Sequence, residues 1–198
     1  MKILPVIFGA AAVAALAQTQ AGAAALTVVN VNAPAVNCVF NITCIVTVTD
    51  TVDTLQYSPL GDGARLQSRT YEGKPGTPAA GHTAYLYRVD LTQGAGWTNC
   101  LVGLTLDFGP VAKVPYVKNQ KPAEVFVITT GGLGTVGIKS AEHDGNAVTV
   151  MFSEYLCAGK SSYFFGLAAA KPPQKIGAAL FGIGSPPFVQ AAARVPQH

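Results

Sequence analysis

Four cysteines, Cys38, Cys44, Cys100 and Cys157, are the first residues in this chain whose type and spacing invite a chemical reading. A zinc site would want ligands two residues apart and neighbouring histidines. A redox pair would want Cys-x-x-Cys at a helix start. Neither arrangement occurs, since five residues separate Cys38 from Cys44. An even count in an exported chain reads as disulfides, and four cysteines allow three connectivities. Along one straight strand Cys38 and Cys44 would lie about 20 Å apart, and a bridge tolerates roughly 7 Å. A local bond therefore requires Val39–Thr43 to fold back as a loop with Asn41 at its tip. We expect that bond, with the strand proper starting at Cys44, and a second bond from Cys100 to Cys157 across the sheets. Loop entropy makes the short bridge worth about 2 kcal/mol and the long one about 4 kcal/mol. Asn41-Ile42-Thr43 also fits an N-glycosylation acceptor. The Ala-rich leader reads as bacterial, where most cells lack the transferase, so Asn41 is expected to stay bare.

The remaining polar constellations are weak. Gly132-x-Gly134-x-x-Gly137 matches a dinucleotide-binding fingerprint, with Glu154 further on. That fingerprint works only where a helix opens after the loop, and Asp144-Gly145 turns the chain too soon. A glycine-rich loop between strands is the expectation, with no cofactor. Gly182-Ile183-Gly184-Ser185-Pro186 fails as a nucleophile elbow because proline follows the serine. His82, His143 and His198 are scattered, without His-x-x-x-His spacing for a metal. His143-Asp144 reads as a solvated turn, and nothing places Glu142, Asp144 and Glu154 at glycosidase separation. Asp50, Asp53 and Asp62 do not form a calcium loop. No catalytic residue and no metal ligand is assigned, and a non-enzymatic chain is expected, with an exported hydrolase as the third reading behind the structural and sugar-binding ones.

Aromatics are the best binding candidates. Tyr71, Tyr85, Tyr87 and Trp97 fall within one stretch, and flat rings on a sheet face or loop stack on sugars. Core or edge packing is the competing use of the same residues.

The elements that would position these groups are strands. Ile45–Thr49 is β-branched throughout, and even positions from 38 to 48 are apolar or Cys, so period two puts them on one face. The pattern recurs at Cys100, Val102, Leu104, Leu106 and Phe108, and again at Tyr85, Tyr87, Val89 and Leu91. Shorter candidates are Thr27–Val31, Arg65–Tyr71, Glu124–Thr129, Ala147–Phe152, Tyr163–Ala168 and Phe188–Ala193. Asp144-Gly145 predicts a tight hairpin tip between Val136–Glu142 and Ala147–Phe152. No helix is expected after the leader. Short strands with frequent turns predict an all-β, antiparallel two-sheet sandwich, of jelly-roll or Ig-like topology, with a barrel as the alternative.

Met1-Lys2, the apolar run Ile3–Leu16 and Ala21-Gly22-Ala23 have the three-part layout of a secretory signal. Residues 1–23 are thus read as leader and 24–198 as one domain, placed in the periplasm or outside the cell. Loss of Lys2 leaves 12 basic against 10 acidic residues, a net of about +2. That balance is too mild and too dispersed for nucleic acid, and no later stretch is long enough to span a membrane.

Arg65–Thr70, Tyr87–Gln93 and Thr105–Pro110 resemble segments of exported bacterial β-sandwich proteins, in the style of ectodomains that carry a C-terminal sorting tail with a Pro-Glu-Pro motif. The chain ends Arg194-Val195-Pro196-Gln197-His198 without such a tail. The resemblance implies an exported β domain and transfers no functional residue. The expectation is an exported structural or interaction protein with a protein or glycan partner. Its alternative is a carbohydrate-binding domain using Tyr71, Tyr85, Tyr87 and Trp97.

Overall fold

The structure is a computed structural model that describes residues 22–55, 63–94, 100–182 and 189–198. Apart from Gly22 and Ala23, the leader lies outside the described residues. Elements run β1 (Ala24–Leu26), β2 (Val28–Asn32), α1 (Ala33–Phe40), β3 (Thr49–Thr54), β4 (Arg65–Glu72), β5 (Thr83–Asp90) and β6 (Leu101–Asp107). They continue β7 (Val125–Thr130), β8 (Ile138–Asp144), β9 (Ala147–Leu156), β10 (Phe165–Ala169), β11 (Pro173–Gly182) and β12 (Val189–Pro196). Two six-stranded sheets result: sheet A, ordered β1-β8-β9-β6-β11-β12, and sheet B, ordered β2-β7-β10-β5-β4-β3. Every pairing between these strands is antiparallel except β2 with β7. The β-sandwich expected from the sequence is the fold.

Both sides of the sandwich are tied. On one side the chain passes from the edge of sheet A to the edge of sheet B through Thr27, whose N–H donates to Glu124 Oε2 at 2.9 Å. Lys113 meets the other oxygen of that carboxylate at 3.1 Å. Burial pushes the Glu124 carboxyl up, but the Thr27 and Lys113 contacts outweigh it and hold it below the ordinary range. On the far side β12 meets β3 and β4: the Ala192 N–H donates to Asp53 Oδ2 at 2.6 Å, and the Arg194 N–H donates to the buried Ser68 hydroxyl at 3.1 Å. Pairing of these edges satisfies backbone groups that an open sheet would leave bare.

Two apolar cores follow from strand alternation. The inner core lies between the sheets and includes Leu66, Tyr85, Tyr87, Leu104, Val127 and Leu180. A second core covers the outer face of sheet B, where Phe40 packs edge-on to Tyr71, with ring centroids 5.0 Å apart. Helix α1 roofs that core, so the expectation of no helix is corrected. Asn32 stands at its N-cap, Pro34 opens its first turn, and Val36, Val39 and Phe40 are buried at helical spacing. The even positions 36, 38 and 40 also fit a strand, which is why alternation misled.

The strand expected over Ile45–Thr49 is likewise corrected. Ladder pairing begins at Thr49, and Ile45 and Val48 are 75% and 40% exposed. This stretch only carries the chain from α1 to the sheet edge, and Val46 alone packs on the outer core.

The Cys38–Cys44 bond closes, with a Cα–Cα distance of 4.0 Å. It joins the last turn of α1 to a tight loop. Asn41 braces that loop: its Oδ1 accepts from the Thr43 N–H and hydroxyl, and its Nδ2 donates to Ile45 O at 2.6 Å. The second bond joins Cys100 to Cys157, but within sheet A and not across the sheets. Leu101 pairs with Leu156, so the flanking cysteines lie side by side where β6 starts and β9 ends. The hairpin forms one residue later than expected. Asp144 pairs with Ala147, and Gly145-Asn146 are the turn residues, with Gly145 at φ +59°, a two-residue turn led by glycine.

Candidate functional site

The four aromatics read from the sequence do not share a surface. Tyr85 and Tyr87 alternate inward on β5 and are fully buried. Their hydroxyls donate to the backbone oxygens of Lys171 at 2.5 Å and Arg194 at 2.6 Å, so they act as struts across the core. Burial pushes both phenols well above their ordinary range. Tyr71 points the other way from β4 and is buried beneath α1. The sugar platform built from these tyrosines is therefore corrected: the two-faced alternation is real, but sheet B is covered on both faces at these three positions. Trp97 lies outside the described residues.

The polar candidates also stay apart. Glu142 and Asp144 are exposed on β8 and its hairpin tip, while Glu154 pairs with Lys160 at 2.6 Å. His82 sits beside Ala80 O in a loop, and His198 Nε2 meets Asp107 Oδ1 at 2.9 Å near the chain end. No three His, Cys, Asp or Glu side chains among the described residues come together as a metal-binding group. No helix among them is long and apolar enough to cross a membrane. Gly134 has φ +109°, and a Cβ there would meet Ser162 O at 2.1 Å, so this glycine serves a close loop approach. Strand β8, not a helix, follows the glycine triplet.

The surface that does assemble is the outer face of sheet A. There Met151 of β9, Gly103 of β6 and Phe181 of β11 form one row across three neighbouring strands. A Cβ on Gly103 would lie 2.6 Å from Phe181 Cζ and 3.1 Å from Met151 Sδ. Glycine thus lets the Phe181 ring settle over the middle strand, as an aromatic does over a bare sheet glycine. A bulge between Leu101 and Gly103 shifts the register, so Leu101 turns inward and Val102 half outward. Strict alternation would have hidden Val102 inside.

Met151, Phe181 and Val102 line a groove of about 920 Å³, together with Tyr155, which is 55% exposed. Polar groups edge it: Lys139, Ser140, Ser153 and Glu154. Ser153 Oγ accepts the Gly137 N–H at 3.1 Å, which leaves its own proton to donate outward. One step along the strands, the hydroxyls of Thr105 and Thr149 bond each other at 3.0 Å. Sequence reasoning overlooked Phe181, Met151 and Tyr155, and the one signal for them was a glycine inside the strand pattern at 103. No protein-family model, curated protein or solved structure matches the chain.

Proposed function

We propose that this chain is an exported, non-enzymatic structural or interaction protein of the periplasm or cell exterior, with the outer face of sheet A as its contact surface. The observation that carries the reading is the unequal treatment of the two sheets. Most outer apolar residues of sheet B, Tyr71, Leu86 and Phe126 among them, are buried beneath α1 and the Val114–Ala123 segment, and Val52 at the β3 edge is 51% exposed. Sheet A leaves Met151, Phe181 and Tyr155 around an open groove. Apolar groups kept at a surface concavity mark a contact site more often than chance exposure does. Export is supported by the leader pattern and by two disulfides, bonds that persist in oxidising compartments.

A photo-crosslinking side chain tests the surface. Placed at Tyr155, it should capture a macromolecule of the cell envelope, protein or glycan. The same group at Gly76, in the β4–β5 loop, should capture none. Equal capture from both positions, or none from Tyr155, refutes the reading.

A further inference from the structure

We propose that the groove on sheet A is a binding site for a neutral glycan. Phe181 and Tyr155 take the C–H face of a sugar ring, and Lys139, Ser140 and Ser153 bond its hydroxyls. The proposal rests on the reading of this face as the contact surface and names its occupant.

A sugar ring is amphipathic in a particular way. Its axial C–H bonds make one apolar face, and its hydroxyls radiate around the edge. A site for it needs an aromatic or thioether floor of about one ring's width, with hydrogen-bonding side chains beside that floor rather than beneath it. The groove has this order. Met151 and Phe181 line it, and the lack of a Cβ on Gly103 between them lets the Phe181 ring lie across the middle strand. Hydroxyls and charges line it beside them: Ser140 pairs with Met151 from the next strand, and Lys139, Ser153 and Glu154 also line the groove. The volume of about 920 Å³ admits more than one sugar unit and lies within the usual range for small-ligand clefts, roughly 300–1,000 Å³.

Charge selects among occupants. Lys139 and Glu154 both line the groove, and Glu154 pairs with Lys160 at 2.6 Å. Both signs at one rim favour a neutral polyol over a polyanion, which would need clustered cations. A protein partner would want a wider apolar patch around a buried anchor. Here the apolar row gives way within one strand step to the paired hydroxyls of Thr105 and Thr149.

The test is calorimetry on the exported, disulfide-intact protein with four neutral tetrasaccharides: cellotetraose, laminaritetraose, maltotetraose and chitotetraose. At least one should bind with a Kd of about 1 mM or tighter. Tyr155→Ala should weaken that binding roughly tenfold or more with no change in the urea midpoint, because the side chain is mostly exposed. Phe181→Ala should weaken it at least as much, and Ser140→Ala supplies a milder loss should the Phe181 variant prove unstable. Absence of binding by all four sugars overturns the proposal, as does binding indifferent to Tyr155→Ala and Ser140→Ala. If the Tyr155 crosslinker captures a protein while no sugar binds, the contact surface stands and its glycan occupant is wrong.

Discussion

Replacing Gly103 with alanine should destabilise the protein, and the sign of the effect is the test. Alanine in an unobstructed strand is favoured over glycine by roughly 0.5–1 kcal/mol. At position 103 the added Cβ would lie 2.6 Å from the Phe181 ring and 2.6 Å from Val150 O. The ring end can swing aside, at the expense of its contact with β6. The carbonyl belongs to a paired strand and cannot yield without disturbing the ladder. Overpacking of this kind costs about 1–3 kcal/mol, so we expect Gly103→Ala to lose about 2 kcal/mol. With Phe181→Ala already present the ring obstacle is gone and the carbonyl remains, so the same substitution should cost about 1 kcal/mol. Urea unfolding of the wild type, both single variants and the double variant gives the coupling directly, provided the m-values agree. A stabilising Gly103→Ala, or a coupling energy indistinguishable from zero, would show that the ring does not rest on Gly103.

Other measurements follow from the same structure. Replacing Cys100 and Cys157 together by serine should lose about 4 kcal/mol, against about 2 kcal/mol for the Cys38 and Cys44 pair, because the first bond closes a far longer loop; equal losses in urea would contradict this account. Gly145→Val should cost roughly 1 kcal/mol or more. The space around Gly145 is open, so the cost there is backbone strain at φ +59°, and an unchanged midpoint would count against the turn. Asp90 and Glu124 set the acid limb. Burial raises both carboxyls, but Thr92 with Arg88 at Asp90, and Thr27 with Lys113 at Glu124, outweigh it and leave both depressed. Their contribution is complete above the ordinary carboxylate range and is lost as pH falls through the depressed folded values. The midpoint should therefore drop below about pH 4, and less steeply in the Asp90→Asn/Glu124→Gln protein; identical acid limbs would disprove the assignment.

Much of the strand framework was legible as pattern. Arg65–Tyr71, Glu124–Thr129 and Ala147–Phe152 each fall on a strand, within one residue at their starts; the Cys38–Cys44 bond follows from spacing and reach, and Cys100–Cys157 as the pair that remains. What misread was local: Val36, Cys38 and Phe40 satisfy period two, while Val36, Val39 and Phe40 share one helical face, and Pro34 after Asn32 is the helix-start signal that separates the readings. Strand β11 escaped notice because Gly177-Ala178-Ala179 offers no strong alternation and Pro173 looks like a turn.

The site depended on a different kind of fact. Period two divides a strand into two parities and carries no information about what covers each. Tyr71 and Phe181 both lie on outward parities of their sheets, yet one is sealed beneath α1 and the other lines an open groove. The bulge after Leu101 also exchanged the parities of Leu101 and Val102 through a backbone adjustment that no side-chain pattern announces. Sequence alone determined much of the strand framework and the reach of Cys38 to Cys44, because those are properties of neighbours along the chain. Which apolar face stays at the surface was decided by the layer packed over it, and that layer comes from residues distant in sequence.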